Sequence, residues 1–360
     1  MHRTGTGRPG AQRTAGARCH SLGEGSLSLL SWTYAGLMRW RNRRYDRPER
    51  VTRVGVPVLS VGNLSVGGTG KTPMVCWIVR LLAERGHRPA VVSRGYRGKA
   101  GKGPLRVSDA EGIHSTAEIA GDEPYMLARM LPGVPVVVGS DRIAGAREAI
   151  AAGADGIVLD DGFQHRRLGR DLDIVLLDAN KPFGNGRVLP AGTLREPPEG
   201  LSRAGVIVLT RSEQAPSPGL LSRIATLAPG VPCLTSRHRS AGLVDAAGRE
   251  VEAPARALAF CGIAQPAAFR RSLEQAGVDL VSFHDYPDHH AYRDAELEAL
   301  ARSCRELDVP AITTEKDRAR MTKAMGLFPE GQPLALRIEI AFEDDTPLRR
   351  ALERSMGAPR

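Results

Sequence analysis

A glycine-rich segment near residue 65 has the residue types and spacing that bind nucleotide phosphates. Residues 62–73 read GNLSVGGTGKTP, and within 65–72 the pattern G-x-x-x-x-G-K-[ST] is complete except that serine replaces its first glycine. Glycines let backbone N–H groups face phosphate oxygens, the lysine reaches the β- and γ-phosphates, and the threonine hydroxyl ligates Mg²⁺. The predicted phosphate site consists of Ser65, Val66, Gly67, Gly68, Thr69, Gly70, Lys71 and Thr72.

Two adjacent carboxylates supply a second part of a nucleotide site. Asp160 and Asp161 end the run GIVLDD, which begins at Gly156. A carboxylate at the end of such a strand holds Mg²⁺ directly or through water, so Asp160, Asp161 and Thr72 are predicted on the metal side. The alternative is that the two acids only cap a loop. Both motifs indicate a bound nucleotide, but neither separates a kinase from a GTPase or an ATP-driven switch.

The elements that must position these motifs follow from the alternation of apolar runs with helical stretches. The runs are residues 56–61, 90–93, 134–138, 157–159, 174–177 and 206–209, then 257–260, 280–283, 311–313 and 334–338. A helix is predicted over 72–85. This pattern predicts an α/β fold of P-loop NTPase type, a mostly parallel sheet flanked by helices. A Pro/Ser/Ala-rich stretch near 215–250 separates a predicted kinase core, 51–230, from a smaller C-terminal α/β domain, 231–350.

Composition narrows the class of protein. The chain has 360 residues, 42% apolar and 25% charged, which excludes a mostly disordered or fibrous chain. No apolar run reaches the roughly 18 residues that a membrane span needs. Eleven arginines and three acids within residues 1–53 account for +8 of the net charge of +10, so the basic excess is local and does not indicate a nucleic-acid-binding fold. Five scattered cysteines predict reduced thiols and no zinc site.

Residues 26–50 contain a predicted amphipathic helix. Five apolar residues recur at helical spacing, namely Leu27, Leu30, Tyr34, Leu37 and Met38. Two tryptophans widen this stripe, and four arginines lie within 39–44, which favours a helix in a membrane interface. The alternative is a helix packed on its own domain, with its arginines favoured by the helix dipole. Residues 1–25 lack periodicity and are predicted to be a disordered extension.

Further strings are unusually specific in combination. They are SRGYRG (93–98), GDEPYMLA (121–128), GSDR (139–142), DDGFQHRRL (160–168), LLDA (176–179), PFGNGRVLPAGTLREP (182–197), FCGIAQPAAF (260–269), DYPDHHAY (285–292) and TTEKD (313–317). In these strings and their order, from about residue 27 to about 345, the chain resembles the tetraacyldisaccharide 4'-kinase (lipid A 4'-kinase) family. The serine at position 65 is also that family's form of the phosphate loop.

The resemblance implies an activity and its partners. The implied enzyme is a phosphotransferase that uses ATP and Mg²⁺ to phosphorylate the 4'-hydroxyl of the tetraacyldisaccharide 1-phosphate precursor, giving lipid IVA in lipid A biosynthesis. It also implies a peripheral enzyme on the cytoplasmic face of the bacterial inner membrane, with no nucleic acid and no obligate protein partner. A membrane-interface helix at 26–45 fits a substrate that stays in the bilayer.

Two carboxylates, Asp122 and Asp161, compete for the role of catalytic base beside the phosphate-binding Lys71. A metal-bound carboxylate is a poor base because the cation stabilises its charged form, so Asp160 and Asp161 are assigned to the metal. Asp122, in GDEP, is then the better base, and the resemblance implies the same position. The alternative is that Asp122 caps the helix that follows it.

Several further residues are assigned to the catalytic or substrate site. The resemblance implies His289 as the partner of Asp122, although the neighbouring His284 and His290 leave the choice open. His165 is expected either near the phosphates or within the loop after Asp161. Loops after parallel strands bind ligands, and arginine pairs well with phosphate. The predicted substrate-binding residues are Arg94, Tyr96, Arg142, His165, Arg195 and Glu196, the last also a possible support for the metal or a water.

Two other classes of function remain as alternatives. A P-loop switch ATPase also combines a basic amphipathic helix with a phosphate loop, but it predicts a second lysine in the loop, and residues 54–70 contain none. A GTPase needs an N-K-x-D string, whereas Asn180 and Lys181 are followed by Pro-Phe. The lipid kinase is therefore the leading hypothesis.

Overall fold

The computed structural model describes residues 19–96, 98–99, 101, 103–321, 326–329 and 331–358. The helices are α1 Cys19–Arg44, α2 Lys71–Glu84, α3 Ala117–Ala120, α4 Asp122–Met130, α5 Arg142–Ala151, α6 Pro218–Leu227, α7 Pro266–Gln275, α8 Asp294–Leu307, α9 Glu315–Arg320 and α10 Thr346–Met356. None of these helices is long and apolar enough to cross a membrane.

The strands join into one continuous sheet. They are β1 Val58–Asn63, β2 Pro89–Ser93, β3 Leu105–Asp109, β4 Gly112–Ile113, β5 Val136–Val138, β6 Gly156–Asp160, β7 Leu172–Asp178, β8 Val206–Thr210, β9 Cys233–Val244, β10 Glu250–Val251, β11 Arg256–Cys261, β12 Asp279–Asp285, β13 Ala311–Thr314 and β14 Leu334–Phe342. Their order is β12-β11-β13-β14-β9-β8-β7-β1-β6-β2-β5-β3-β4, with β10 paired to β9. Pairings are parallel except β14–β9, β10–β9, β5–β3 and β3–β4, which confirms the predicted mostly parallel α/β fold.

The sheet crosses the predicted domain boundary through one long strand. β9 pairs with β8 in the first half through residues 233–235 and with β14 in the second half through residues 236–244. The sequence stretch taken as a linker therefore contains the strand that joins the two halves.

The last helix returns from the second half to the first. Leu348 and Leu352 of α10 are fully buried in the same apolar core as Met74 and Ile78 of α2. A Cβ at Gly156, where β6 begins, would lie 2.5 Å from the Met356 side chain, so this glycine permits the close packing of α10. The C-terminal segment is thus part of the core under the phosphate loop.

The first helix begins earlier than the sequence pattern predicts. α1 starts at Cys19, so residues 19–25 of the predicted extension are helical, while residues 1–18 lie outside the described residues. One side of α1 packs on the protein, because Ser31 is buried with its Oγ donating to Val188 O, and Met38 is 5% exposed. Tyr34 also faces the protein and donates its hydroxyl to Arg195 O at 2.9 Å, so its expected place on the membrane-facing stripe is wrong.

The opposite side of α1 remains apolar and uncovered. Its exposed large side chains are Leu29, Leu30, Trp32, Leu37 and Trp40. The helix therefore packs on its own domain, as the alternative interpretation predicts, and it also presents an apolar face, whereas its place in a membrane interface stays a prediction.

Candidate active site

The phosphate loop lies between β1 and α2, where the sequence predicts it. Gly67 and Gly70 have positive φ angles of 115° and 81°. Glycine adopts this backbone conformation readily, whereas residues with a side chain rarely do. Thr69 anchors the loop from below, because its Oγ1 accepts from Asn63 Nδ2 at 2.9 Å and its carbonyl accepts from Thr210 Oγ1 at 3.0 Å. The loop ends at the N-terminus of α2, where free N–H groups and the helix dipole favour an anion.

Lys71, Asp161 and Arg195 form a charged cluster beside the loop. Lys71 Nζ lies 3.6 Å from Asp161 Oδ1, and Arg195 Nη1 donates to both Asp161 oxygens at 2.8 and 2.7 Å. Burial alone raises the pKa of Asp161, but the two cations outweigh it and hold the pKa below its ordinary value. The two cations therefore favour the ionised form of Asp161.

Asp160 has the opposite electrostatics from its neighbour. It is 3% exposed and accepts a hydrogen bond from Ser93 Oγ at 3.0 Å. Burial, reinforced by the carboxylates of Glu123 and Asp161, raises its pKa to about 6. A buried carboxylate with this excess of negative charge fits a hard divalent cation, which oxygen ligands suit.

The described residues contain no preformed cluster of three or more His, Cys, Asp or Glu side chains that could hold a metal. Mg²⁺ commonly binds through one or two carboxylates together with substrate phosphates. Asp160, Asp161 and the Thr72 hydroxyl fit such a shared site.

Asp122 lies at the start of α4 and points away from its own helix. Gly121 is the residue before the helix, and Asp122 makes no capping hydrogen bond, so the alternative role as a helix cap is wrong. Its Oδ2 instead accepts from Arg320 Nε at 3.0 Å. A Cβ at Gly121 would lie 2.8 Å from Tyr96 O, so the turn carrying Asp122 packs on the loop after β2.

Of the three candidate histidines, His289 is the one that shares a partner with Asp122. Arg320 Nη2 lies 3.0 Å from His289 Nδ1. His284 hydrogen-bonds a serine on its own strand, and His290 hydrogen-bonds a carboxylate in the first turn of α8. The geometry therefore favours His289.

The remaining predicted site residues differ in burial. Arg142 is 4% exposed and donates to Gly139 O, and burial, reinforced by Arg94, lowers its pKa. His165 has a buried Nε2 without a hydrogen-bond partner among the described residues, and mainly burial lowers its pKa to about 4. Arg94 and Tyr96 are exposed in the loop after β2, which leaves them accessible to a ligand.

Glu196 has a structural role that differs from the expected one. It is fully buried, and three side chains donate to its carboxylate: Asn42 and Gln164 at 2.9 Å and Arg203 at 2.7 Å. Because protein donors occupy the carboxylate, the expected contact with a metal, water or substrate is not what the structure shows. Glu196 instead ties the end of α1 to the loop that follows Asp161.

Sequence reasoning did not single out four residues that shape the site. Gln164 and Asp317 lie inside the strings DDGFQHRRL and TTEKD, so a signal for them was present. Asn42 and Arg320 lie outside any quoted string, and only the folded structure brings them to the site.

Comparisons with known proteins agree with this geometry. A family model described as tetraacyldisaccharide-1-P 4'-kinase matches residues 24–357. A curated tetraacyldisaccharide 4'-kinase from Anaeromyxobacter sp. (strain Fw109-5) is 45% identical over 301 residues, 81% of each chain. Another, from Geobacter metallireducens, is 41% identical over 91% of this chain and 97% of its own. The crystal structure of LpxK from Aquifex aeolicus in complex with ATP superposes with a TM-score of 0.78 at 34% identity, covering 92% of this chain and 99% of that one.

Proposed function

Because this chain belongs to the tetraacyldisaccharide-1-P 4'-kinase family, we propose how its own residues carry out that family's reaction. The chain is an ATP-dependent kinase, and its substrate is the tetraacyldisaccharide 1-phosphate precursor of lipid A, phosphorylated at the 4'-hydroxyl. The observation that carries the proposal is the charged cluster of Lys71, Asp161 and Arg195 at the mouth of the phosphate loop. The family's activity favours the lipid kinase over the two alternative functions, the switch ATPase and the GTPase.

The donor side of the site binds ATP. Backbone N–H groups of residues 65–72 face the phosphates, and Lys71 Nζ neutralises the charge that develops on the γ-phosphate. Thr72, Asp160 and Asp161 would hold Mg²⁺, which supplies charge neutralisation between the phosphates when bound. Arg195 keeps Asp161 ionised and oriented through its two hydrogen bonds.

The acceptor side carries the base. Asp122 would take the proton of the 4'-hydroxyl as its oxygen bonds to the γ-phosphorus and the bond from that phosphorus to the β–γ bridging oxygen breaks, releasing ADP, with His289 as the second member of a catalytic pair. The exposed Arg94 and Tyr96 together with the more buried Arg142 and His165 would bind the sugar phosphates. Arginines are suited to this role because they pair with phosphate in a bidentate manner.

The apolar face of α1 supports a peripheral position on the membrane. Its exposed leucines would enter the acyl boundary and its two exposed tryptophans would lie at headgroup level, while the exposed Arg43 and Arg44 would meet anionic headgroups at about 1 kcal/mol each. The opposite face of the same helix contacts Arg195 and Glu196, so the proposed membrane contact lies on the helix that packs beside the charged cluster. We place the enzyme on the cytoplasmic face of the inner membrane, where ATP is available.

The test is transfer of label from γ-labelled ATP to the detergent-dispersed disaccharide 1-phosphate. Wild-type protein should give a bis-phosphorylated lipid, and Lys71→Ala should lower kcat by on the order of 10²-fold or more while the protein stays folded. Wild-type turnover in a folded Lys71→Ala variant would overturn the assignment of the phosphate loop.

A further inference from the structure

Arg320, the last residue of α9, lies between the two proposed members of the catalytic pair. Its side chain is only 6% exposed. Nε donates to Asp122 Oδ2 and Nη2 to His289 Nδ1, both at 3.0 Å. Asp122 and His289 come from opposite halves of the chain, and one guanidinium contacts both.

The guanidinium is itself fixed from behind. Nη1 donates to Asp317 Oδ1 at 3.0 Å and to Gly262 O at 3.2 Å. Asp317 is fully buried, and its other oxygen accepts from Gly262 N at 3.0 Å and from Thr314 Oγ1 at 2.7 Å. Because the buried Asp317 carboxylate and the Gly262 carbonyl hold Nη1, the Arg320 side chain is fixed on the side away from Asp122 and His289.

The same backbone group also fixes the histidine. Gly262 O accepts from His289 N at 3.1 Å, and His289 has a positive φ of 62°, a conformation that costs free energy unless neighbouring contacts hold it. A Cβ at Gly262 would lie 3.0 Å from His290 Cβ, so this approach needs glycine. The histidine loop and Arg320 therefore share one anchor.

The donors around the pair limit how each partner can be used. Arginine and lysine only donate, and they lie at the two ring nitrogens of His289, Arg320 Nη2 at 3.0 Å from Nδ1 and Lys316 Nζ at 3.2 Å from Nε2. On Asp122 the contact occupies Oδ2, and the described residues place no hydrogen-bond partner on Oδ1. Oδ1 is then the oxygen directed to an acceptor hydroxyl.

We infer that Arg320 is a positioning residue that holds the Asp122 carboxylate and the His289 imidazole in one fixed arrangement for proton abstraction. The inference rests on the proposed function, because it assumes that these two groups perform the base chemistry. A misplacement of about 1 Å in such a group costs up to roughly 10²-fold in rate. The five-donor planar fork explains why arginine serves here, since lysine offers a point charge and cannot bridge the same acceptors.

The experiment compares kcat and KM of Arg320→Gln, Arg320→Lys, Asp122→Asn and His289→Ala with detergent-dispersed lipid. Arg320→Gln should lower kcat at least tenfold and leave KM for ATP within about threefold. Arg320→Lys should recover only part of the loss. In the His289→Ala background the Arg320→Gln substitution should add little, because both changes disturb one unit.

The matched control is Arg318→Gln on the same helix. Arg318 is buried and donates to backbone carbonyls of Val244 and Asp245, away from the pair. It should lower the melting temperature without lowering kcat of the folded protein.

The outcomes separate the two claims. If Asp122→Asn and His289→Ala keep wild-type kcat, the proposed catalytic pair is wrong and the role of Arg320 fails with it. If those variants lose activity while Arg320→Gln keeps its kcat, or if its loss is fully additive with His289→Ala, the inference about Arg320 is wrong and the proposed function stands.

Discussion

Asp160 and Asp161, the adjacent carboxylates at the end of β6, have pKa values that their surroundings shift in opposite directions. Asp160 is desolvated and has a pKa raised to about 6, whereas Lys71 and Arg195 keep the pKa of Asp161 below its ordinary value despite burial. Asp122, by contrast, is 39% exposed and forms an ion pair with the guanidinium of Arg320. A division between metal-side carboxylates and a separate, accessible base follows from these differences.

Substitutions should separate these roles. Asp122→Asn should lower kcat by about 10²- to 10⁴-fold with ATP and Mg²⁺ binding near normal, because a base acts only as the hydroxyl attacks. Asp161→Asn should raise the Mg²⁺ concentration needed for half-maximal rate. Steady-state rates over a Mg²⁺ series measure both effects, with the exposed-turn variant Glu111→Gln as the control carboxylate. A loss of Mg²⁺ affinity in Asp122→Asn but not in Asp161→Asn would reverse the assignment.

Helix α1 has two different faces, one packed beside the charged cluster and one exposed to the outside. Its inner face donates from Tyr34 to Arg195 O and from Asn42 to Glu196, both next to the charged cluster, while its outer face is apolar and exposed. Removing the whole helix would therefore damage the site as well as membrane binding. Only substitutions on the outer face can test the membrane contact by itself.

The variant Leu30→Ser/Trp32→Ser/Leu37→Ser should lose binding to anionic vesicles and keep ATP binding, because these side chains are more than half exposed. Its matched control carries serine at Ile113, Leu221 and Leu307, which are similarly exposed apolar residues elsewhere. Co-sedimentation at low and high salt measures the binding, and the residual arginine-dependent part should weaken with salt. Equal sedimentation of the outer-face variant and the wild type would show that α1 is not the anchor.

β9 brings His238 against the phosphate loop. A Cβ at Gly70 would lie 2.6 Å from His238 Nε2, a buried atom without a hydrogen-bond partner among the described residues. Burial, reinforced by Arg211, lowers the pKa of His238 to about 4. The imidazole is therefore held neutral under the loop.

Stability should fall as the pH drops from about 6.5 toward 4. In this range the unfolded chain protonates His238 while the folded chain does not, so the unfolded state binds more protons and is favoured. At about pH 5 the loss is on the order of 2 kcal/mol. Melting temperatures of wild type and His238→Gln at about pH 7.5 and pH 5 measure it, and the variant should lose less. An identical acid-induced decrease in both proteins would contradict this origin of the pH dependence.

For the whole molecule, one sheet and one returning helix bind the two halves together. β9 pairs with strands of both halves, and α10 completes the core beneath α2. The predicted kinase core, 51–230, and the predicted C-terminal domain, 231–350, are distinct in sequence. In the structure, residues of the second cover apolar surface of the first. Asp122 on α4, the proposed base, is likewise held by Arg320 from the second half.

How much of the fold and of the candidate site could be predicted from the sequence depends on how far apart in the chain the interacting residues lie. The phosphate loop, the carboxylates after β6 and all ten expected strands follow from local pattern, because burial of a parallel strand and glycine spacing are visible in short windows. β9 was missed because its residues alternate in burial and are polar in the middle, SRHRS, which is typical of a loop. The role of Glu196 and the bridge through Arg320 depend on contacts 154 and 198 residues apart, which no local pattern contains.

The central claim is that the chain transfers one phosphoryl group from ATP to the lipid, and the stoichiometry of that transfer tests it most directly. Purified full-length protein is incubated with γ-labelled ATP and the disaccharide 1-phosphate, and ADP formed is compared with label recovered at the 4'-position of the lipid. One labelled 4'-phosphate should appear for each ADP, and ADP formation should nearly cease without the lipid. ADP formed at the same rate without lipid, with the label released as inorganic phosphate, would contradict the account.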